Sequence, residues 1–276
     1  MPYGISNQNG QVKTGEITAI LDLAWKNGID TLDTAKSYGT SEETIGNYLK
    51  YHSECSYKII TKISDCNGSI YDQFVNSTEK LTVCPTSILA HSAKLFLNEE
   101  FQSELQQVKD KQAFIDTGVS LYSKNEIDQV LESGFKPDII QLPLNILDTL
   151  LYHRGILNQL TEEGIEIHAR SAFLQGIFYL PETELNSHFS DAVPYLEKLK
   201  SIAAEANLTL AELSLLWLFS LEEVSIVVIG VDNAEQLEAH IKTIKEVVDP
   251  GVFEEALSIH YENEKILNPS LWTIKS

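Results

Sequence analysis

Short apolar runs alternate with amphipathic stretches along the whole chain. Apolar runs of four to seven residues bounded by Gly, Pro, Asp or Asn are typical of strands, whereas apolar residues three and four apart indicate helices. The pattern predicts seven strands, at Ile29–Asp33, Lys58–Lys62, Ser87–His91, Ala113–Val119, Ile139–Leu142, Ile165–Ala169 and Ile226–Ile229. It predicts helices at about 14–27, 42–50, 69–82, 98–109, 124–133, 152–162, 191–205 and 233–246.

Two of these helices have capping signals at their starts. Ser41 precedes Glu42 and Glu43, and Ser123 is followed three residues later by Glu126. Hydroxyl and carboxylate oxygens accept hydrogen bonds from the free N–H groups of a first helical turn. We therefore expect Ser41 and Ser123 to be N-caps.

Strict alternation of strand and helix predicts parallel strands joined by crossover helices, which both a doubly wound sheet and a (β/α)8 barrel satisfy. No G-x-G-x-x-G motif follows an early strand, so the usual dinucleotide fingerprint of the doubly wound sheet is missing. Because no Pro/Gly-rich linker interrupts the chain, the expected fold is α/β, a single (β/α)8 TIM barrel domain over residues 1–276. A first strand should precede the helix at Thr14, yet only Met1–Tyr3 stand before a Gly/Asn-rich turn. We expect that strand to be missing or degenerate.

The charge balance excludes several kinds of partner. The 276 residues include 40 acidic and 20 basic side chains, a formal net charge of −20. Such a surface repels nucleic-acid phosphates and anionic lipids, and no apolar run reaches the ~20 residues that cross a bilayer. Met1–Gly10 has no cationic region leading into an apolar one, so no signal peptide is expected. We expect a cytoplasmic protein that binds neither nucleic acid nor membrane, and its oligomeric state stays open.

The cysteines indicate no chemistry. Cys55, Cys66 and Cys84 are odd in number, lack C-x-x-C spacing and have no His pair at metal-ligand spacing. We expect reduced thiols and no metal site.

In a (β/α)8 barrel the reactive groups lie at the carboxyl ends of the strands and in the loops that follow. Those positions hold four titratable side chains of different types, which are Asp33, Tyr38, Lys62 and His91. The further strand ends hold Ser120, Gln141 with Asn145, Arg170 with Ser171, and Gly230 with Asp232. Each residue alone fits an ordinary structural role, such as a helix cap or a solvated charge. Their common position favours a functional site.

The four titratable groups suit the protonation of an oxyanion. A tyrosine has an ordinary pKa of about 10 and is a poor acid at pH 7, but a neighbouring ammonium stabilises its phenolate and lowers that pKa. An aspartate would keep the lysine charged and oriented, and a histidine can donate a hydrogen bond to a carbonyl oxygen. The set therefore indicates the reduction of a small-molecule carbonyl by hydride transfer.

The motifs around these residues resemble those of the aldo-keto reductase family. Gly28–Glu42 reads G-I-D-T-L-D-T-A-K-S-Y-G-T-S-E, which is similar to the family signature of an apolar strand ending in D-T-A-x-x-Y-G before S-E. Ile59–Lys62 is similar to the family's lysine strand and Ser87–His91 to its histidine strand. Later segments resemble the cofactor-lining segments in the same order, at 118–123, 141–148 and 169–176. The resemblance covers essentially the whole chain, and its two ends look like a branch often found near genes for bacterial surface-polysaccharide sugars.

The resemblance implies a role for each matching residue. Tyr38 would be the general acid and Lys62 would lower its pKa. Asp33 would pair with that lysine, and His91 would orient the carbonyl. The cofactor, NADP or NAD, would be held by the remaining positions: Ser120 and Gln141 at the nicotinamide carboxamide, Arg170 with Ser171 at the nicotinamide ring, Phe173, Leu174 and Gly176 at the pyrophosphate, and Gly230, Asp232 and Gln236 at the adenosine.

Two departures from the family pattern bear on the cofactor. Leu121 follows Ser120 where many family members have Asn, so one carboxamide contact is lost. Asp232 lies in the segment where a basic or hydroxyl residue often holds the adenosine 2′-phosphate. A carboxylate repels a phosphate but accepts a hydrogen bond from a free ribose hydroxyl, so NADH is a candidate beside NADPH.

The missing first strand leaves alternatives to an active reductase, because an incomplete barrel exposes the edges of neighbouring strands. The chain could be a truncated or mis-started reading of a longer reductase. It could also be a non-catalytic relative that binds a nucleotide, or an assembly subunit that completes its barrel with another chain. Retention of all four titratable types favours catalysis. Choice of a substrate such as a sugar would lie in Ser92–Phe96, Tyr179–Ser190 and Leu267–Ser276.

Overall fold

The structure, a computed structural model, describes residues 12–112, 114–185 and 187–272. The described residues divide into two compact units. The first contains residues 12–142 together with 164–166, and the second contains residues 143–163 and 167–272. That the two belong to a single barrel domain stays a prediction.

The first unit is a parallel sheet whose strands alternate with helices. Its elements are α1 (Thr14–Lys26), β1 (Thr31–Asp33), α2 (Ser41–Tyr51), β2 (Lys58–Ile63), α3 (Ile70–Leu81), β3 (Ser87–Ala90), α4 (Ala93–Phe96), α5 (Glu99–Lys111), β4 (Asp116–Ser120), α6 (Lys124–Glu132) and β5 (Ile139–Pro143). Each strand pairs in parallel with the next one along the chain, from β1 to β5. The prediction of an α/β fold with parallel strands joined by helices is confirmed.

The second unit contains the remaining strands and seven α-helices of the described residues. These elements are α7 (Leu150–His153), α8 (Ile156–Glu162), β6 (Glu166–Arg170), α9 (Val193–Glu205), α10 (Leu210–Ser220), β7 (Val224–Val227), α11 (Ala234–Thr243), α12 (Pro250–Leu257) and α13 (Glu264–Leu267). Strands β6 and β7 are parallel. Among the described residues no single helix is long and apolar enough to cross a bilayer. Helices α9 and α10, which meet at a bend of 79°, pass that test of length and composition only as a pair.

All seven predicted strands are present, with shifted ends. Strand β1 starts two residues late because Ile29 N–H still bonds Ala24 O at the end of α1. The last strand starts early, at Val224 instead of Ile226, because an irregularity in its pairing with β6 accommodates an extra residue. Ala113, where the fourth strand was predicted to start, lies outside the described residues, and that strand runs over Asp116–Ser120.

Helix prediction failed at three short helices, of four to eight residues, and at one helix without an apolar period. Four helices were not predicted, namely α4, α10, α12 and α13. Helix α10 is apolar on every side, so it shows no period, although its start has a capping box between Thr209 and Glu212. The predicted helix 152–162 is two helices, α7 and α8, because Gly155 has φ +69° between them.

The two capping predictions had different outcomes. Ser123 and Glu126 form the expected capping box at α6. Ser41 is not an N-cap: it is the first residue of α2, and Thr40 precedes it without a side-chain cap. The Ser41 hydroxyl instead accepts a hydrogen bond from Thr34 Oγ1 at 2.8 Å, which ties α2 to the loop after β1.

The expected first barrel strand concerns residues that the structure does not describe. Met1–Tyr3 lie within residues 1–11, outside the described part of the chain. In the described part the first element is α1, and the first strand after it is β1. A missing or degenerate strand before α1 therefore stays a prediction.

The register of the first unit places one layer of side chains above another on the inner face of its sheet. Ile60, Leu89 and Ile139 form a buried apolar cluster. Two residues further along their strands, and hence on the same face, stand Lys62 and Gln141. The sheet thus carries a polar layer at its carboxyl edge, directly after an apolar layer.

Gly118 on β4 belongs to the apolar layer and leaves room for its neighbour. A Cβ atom there would lie 2.3 Å from Ile139 O and 2.9 Å from Ile139 Cβ. Real Cβ atoms do not approach so closely, so any larger residue forces β4 and β5 apart. Glycine is therefore required at this point by close approach of the neighbouring strand.

We expect Gly118→Ala to lower the free energy of unfolding by about 2 kcal/mol, since β5 must move to relieve the overlap. Urea unfolding of the two proteins measures the difference. Gly15→Ala in α1 is the matched control, because a Cβ atom there meets nothing within 4 Å. Equal stability of Gly118→Ala and the unsubstituted protein would show that the strands can separate at no cost.

Candidate active site

A buried ion pair lies at the carboxyl ends of β1 and β2. Lys62 Nζ is 2.5 Å from Asp33 Oδ1 and 3.0 Å from Thr34 O. The lysine side chain is 1% exposed and the aspartate side chain 13%. An ammonium this buried remains favourable only with a close counter-charge and further acceptors, and both are present.

Gln141 on β5 supplies a second donor to the same carboxylate. Its Nε2 donates to Asp33 Oδ2 at 2.9 Å, and the side chain is 2% exposed. Each oxygen of Asp33 therefore has its own donor, one cationic and one neutral. The sequence predicted a cofactor contact for Gln141 but not this bond to Asp33.

Backbone hydrogen bonds place Tyr38 beside the ion pair. The loop after β1 runs alongside β2, because Thr34 N–H donates to Ile60 O and Lys36 N–H donates to Lys62 O. A turn then brings Tyr38 N–H onto Ala35 O at 2.9 Å. As a result Lys62 Nζ lies 5.3 Å from the centroid of the Tyr38 ring.

His91 completes the group from the end of β3. The backbone N–H of His91 donates to Ile63 O at 2.9 Å. The His91 ring meets the Tyr38 ring edge to face, with 5.9 Å between the ring centroids. Its Nδ1 lies 3.1 Å from Ser64 Oγ and 3.3 Å from Ser37 Oγ. Sequence reasoning missed both serines, although each is within two residues of a predicted site residue. The four predicted titratable residues are thus together in the first unit.

Ser120 and Gln141 are aligned partners on neighbouring strands. Their Cα atoms are in register between β4 and β5, and Leu121 N–H donates to Gln141 O at 2.9 Å. Register partners on parallel strands face the same side, so the Ser120 hydroxyl and the Gln141 amide lie side by side. Both are buried, which suits recognition of a polar planar group such as a carboxamide.

In the second unit, the candidate residues within 170–176 lie in a strained loop that follows β6. Arg170 ends the strand, and Ser171, Leu174, Gln175 and Gly176 all have positive φ, from 45° to 92°. Such backbone in non-glycine residues persists only where its surroundings enforce it, and it clusters at functional sites.

Two buried side chains enforce this loop conformation. Asn145 Nδ2 donates to Ser171 O at 3.2 Å, and Ser214 Oγ donates to Ala172 O at 2.8 Å. Ser214 lies on α10, the helix that the sequence pattern did not predict. The loop is therefore preformed, and its shape depends on residues outside it.

Phe173 and Leu174 use their side chains for packing. Leu174 is fully buried, and the Phe173 ring stacks on His240 at 4.9 Å between centroids. Burial lowers the pKa of His240, so this ring is favoured in its neutral form. Phe173 and Leu174 can thus offer a ligand mainly their backbone.

The segment after β7 leads into α11, whose first turn is capped by the side chain of Asn233. Asn233 Oδ1 accepts from Gln236 N–H, and Gln236 Oε1 accepts from Asp232 N–H, both at 2.8 Å. Gly230 is exposed and Asp232 half-buried. The Gln236 side chain is therefore occupied by the cap, and it holds the backbone of Asp232 in place.

No group of three or more His, Cys, Asp or Glu side chains that could hold a metal ion occurs within residues 12–112, 114–185 and 187–272. Cys55 is buried, Cys66 exposed and Cys84 half-buried, and all three are free thiols.

The first unit thus carries, at the carboxyl ends of its parallel strands, a buried lysine–aspartate pair beside a tyrosine and a histidine. A model of the Aldo/keto reductase family matches residues 3–259, and the chain belongs to that family. It is an oxidoreductase that uses a nicotinamide cofactor for the reduction of small-molecule carbonyls.

Solved structures share the fold at low sequence identity. Aldo-keto reductase AKR11C1 from Bacillus halodurans, in its holo form, is similar with a TM-score of 0.76 and 18% identity, over 91% of this chain and 89% of that one. The glycerol dehydrogenase AKR11B4 from Gluconobacter oxydans is similar with a TM-score of 0.71 and 20% identity, over 88% of this chain and 84% of that one. The expected fold class is therefore confirmed.

Asp148, in the loop after β5, provides a pH-dependent test of the second unit. Burial raises its pKa to about 7, against the opposing effect of the positive Arg170. A carboxyl whose pKa is raised in the folded state stabilises that state fully only below its unfolded pKa of about 3.9. This stabilisation is lost as the pH rises through about 7.

We expect Asp148→Asn to gain stability relative to the unsubstituted protein as the pH rises from 5 to 8, by on the order of 2 kcal/mol. Unfolding in urea at the two pH values measures this change. Glu246→Gln, which removes an exposed carboxylate, is the control for net charge. A stability difference that does not change with pH would contradict the raised pKa.

Proposed function

We propose that this protein reduces an aldehyde or ketone with Tyr38 as the proton donor. The supporting observation is the arrangement of Lys62, Asp33 and Gln141 beside the Tyr38 ring, with His91 at its edge. A buried ammonium next to a phenol favours the phenolate that forms when the proton leaves. The same ammonium stays charged because Asp33 is bonded to it.

The reduction needs a hydride at the carbonyl carbon and a proton at the carbonyl oxygen. The reduced nicotinamide, when bound, supplies the hydride. Tyr38 would transfer its hydroxyl proton to the oxygen as the C–O double bond becomes single, and the resulting phenolate would regain a proton from solvent. His91 would donate a hydrogen bond to the same oxygen and thereby fix the direction of the carbonyl.

The cofactor-holding residues are proposed unit by unit. In the first unit, the aligned Ser120 hydroxyl and Gln141 amide would bind the carboxamide. In the second unit, Arg170 would stack its planar guanidinium on the nicotinamide ring, and the strained loop from Ser171 to Gly176 would meet the pyrophosphate through its backbone. Gly230, Asp232 and Gln236 would lie at the adenosine end.

The substrate class is proposed to be a polar carbonyl compound such as a sugar. One similar structure is named a glycerol dehydrogenase, which acts on a polyhydroxyl compound. In this chain the loop and tail regions predicted to choose the substrate are 92–96, 179–190 and 267–276, of which residues 186 and 273–276 lie outside the described part. A role in making surface polysaccharide and a cytoplasmic location stay predictions.

We expect Tyr38→Phe to lower kcat/KM for carbonyl reduction at least about a hundredfold, because the variant has no acidic proton. Cofactor affinity, followed by quenching of protein fluorescence, should change less than about twofold. Tyr51→Phe is the matched control, since Tyr51 is 79% exposed on α2.

A fully active Tyr38→Phe variant would remove Tyr38 from the acid role. Failure of the unsubstituted protein to bind either NADH or NADPH would instead favour the non-catalytic or truncated alternative.

We expect the unsubstituted protein to use NADH at least as well as NADPH, because Asp232 would repel a 2′-phosphate. Asp232→Asn should raise kcat/KM for NADPH about tenfold and leave that for NADH nearly unchanged. Glu235→Gln removes the next acidic group, in the first turn of α11, and is the control for the negative charge of this region as a whole. A strong NADPH preference in the unsubstituted protein would contradict this role of Asp232.

A further inference from the structure

Gln141 reaches across the first unit to a residue that is not on a neighbouring strand. It lies on β5, whereas its partner Asp33 ends β1, and β2, β3 and β4 stand between them in the sheet. The bond of 2.9 Å joins two side chains that are 108 positions apart in sequence. Contact across three intervening strands shows that both side chains point into the concave side of the sheet.

The bond from Gln141 gives the two oxygens of Asp33 different donors. Oδ1 faces the ammonium of Lys62 and Oδ2 faces the amide of Gln141, so the plane of the carboxylate is fixed by two donors on opposite sides. With Lys62 alone, the carboxylate could rotate and share both oxygens with the ammonium. The ammonium would then be drawn toward Asp33 and away from the Tyr38 ring.

We propose that Gln141 is a positioning residue for proton donation, acting through Asp33 and Lys62 on Tyr38. This role rests on the proposed function and is distinct from a contact with the carboxamide. An amide has two N–H donors and one carbonyl acceptor. One N–H is bonded to Asp33, and a carboxamide would contact the rest of the amide, so one side chain would serve both tasks.

Three charged or titratable side chains of the first unit are linked to Asp33 by successive contacts. Lys62 faces Asp33 from β2, the ammonium of Lys62 lies 5.3 Å from the centroid of the Tyr38 ring, and the His91 ring meets the Tyr38 ring edge to face. Ser120 on β4 is neutral. A change in the hold on Lys62 therefore reaches Tyr38, whose ring lies beside its ammonium.

The experiment compares Gln141→Met, which keeps the length of the side chain but has no N–H donor, with Ser120→Ala. The control variant removes the other proposed carboxamide contact and does not touch Asp33. Titration of the protein labelled with ¹³Cζ-tyrosine follows the ionisation of Tyr38 by NMR without any cofactor, and Tyr38→Phe assigns its signal. Circular dichroism checks that each variant is folded.

We expect Gln141→Met to raise the pKa of Tyr38 by about half a unit or more, because the ammonium is held less firmly beside the phenolate. Ser120→Ala should leave that pKa unchanged. In kinetics, Gln141→Met should lower kcat at saturating cofactor about tenfold, a larger loss than Ser120→Ala causes. If Gln141→Met does not fold, Gln141→Leu replaces it, since leucine is also uncharged and has no N–H donor.

An unchanged titration of Tyr38 in the Gln141 variant would overturn the positioning role, whatever the effect on cofactor affinity. Because the titration needs no turnover, it decides this point even if the unsubstituted protein reduces no carbonyl compound. The proposed function fails separately, when Tyr38→Phe retains full activity.

Discussion

The carboxylate of Asp33 accepts hydrogen bonds from a lysine on β2 and from an amide on β5. The shape of the sheet in the first unit is tied to this pair of bonds. Neighbouring strands lie about 4.8 Å apart, so β1 and β5 would be about 19 Å apart in a flat sheet. The two side chains meet at 2.9 Å, which requires a strongly curled sheet. Close approach of β5 to Gly118 on β4 is one of the local features that permit this curl.

Burial of this charge explains why the site has a layered construction. Removing an ammonium and a carboxylate from water costs several kcal/mol per ion, which their mutual attraction offsets only with good geometry and further hydrogen bonds. Gln141 and the Thr34 carbonyl provide those bonds. The apolar layer of Ile60, Leu89 and Ile139 lies next to this polar layer on the same face, and the Lys62 side chain is 1% exposed, so water has little access to the ammonium.

The sequence predicted the strands and the four titratable residues because both leave local signals. A buried strand is a short apolar run, and a reactive residue at a strand end interrupts such a run with a polar side chain. Helix α10 left no periodic signal because all its faces are covered, and only Thr209 and Glu212 marked its start. The bond from Gln141 to Asp33 could not be predicted, since it depends on curvature that no short segment encodes. Ser37 and Ser64 were missed for the same reason, because their link to His91 exists only after three strand ends meet.

The two serine hydroxyls at His91 Nδ1 have a consequence for the orientation of its ring. A hydroxyl can donate to a neutral ring nitrogen or accept from a protonated one, so His91 keeps a hydrogen bond in either state. A carbonyl or carboxylate partner would have favoured one state only. Because Ser37 and Ser64 are exposed, protons can exchange with bulk water at this point. The ring can therefore gain or lose a proton at this nitrogen without turning away from the Tyr38 ring.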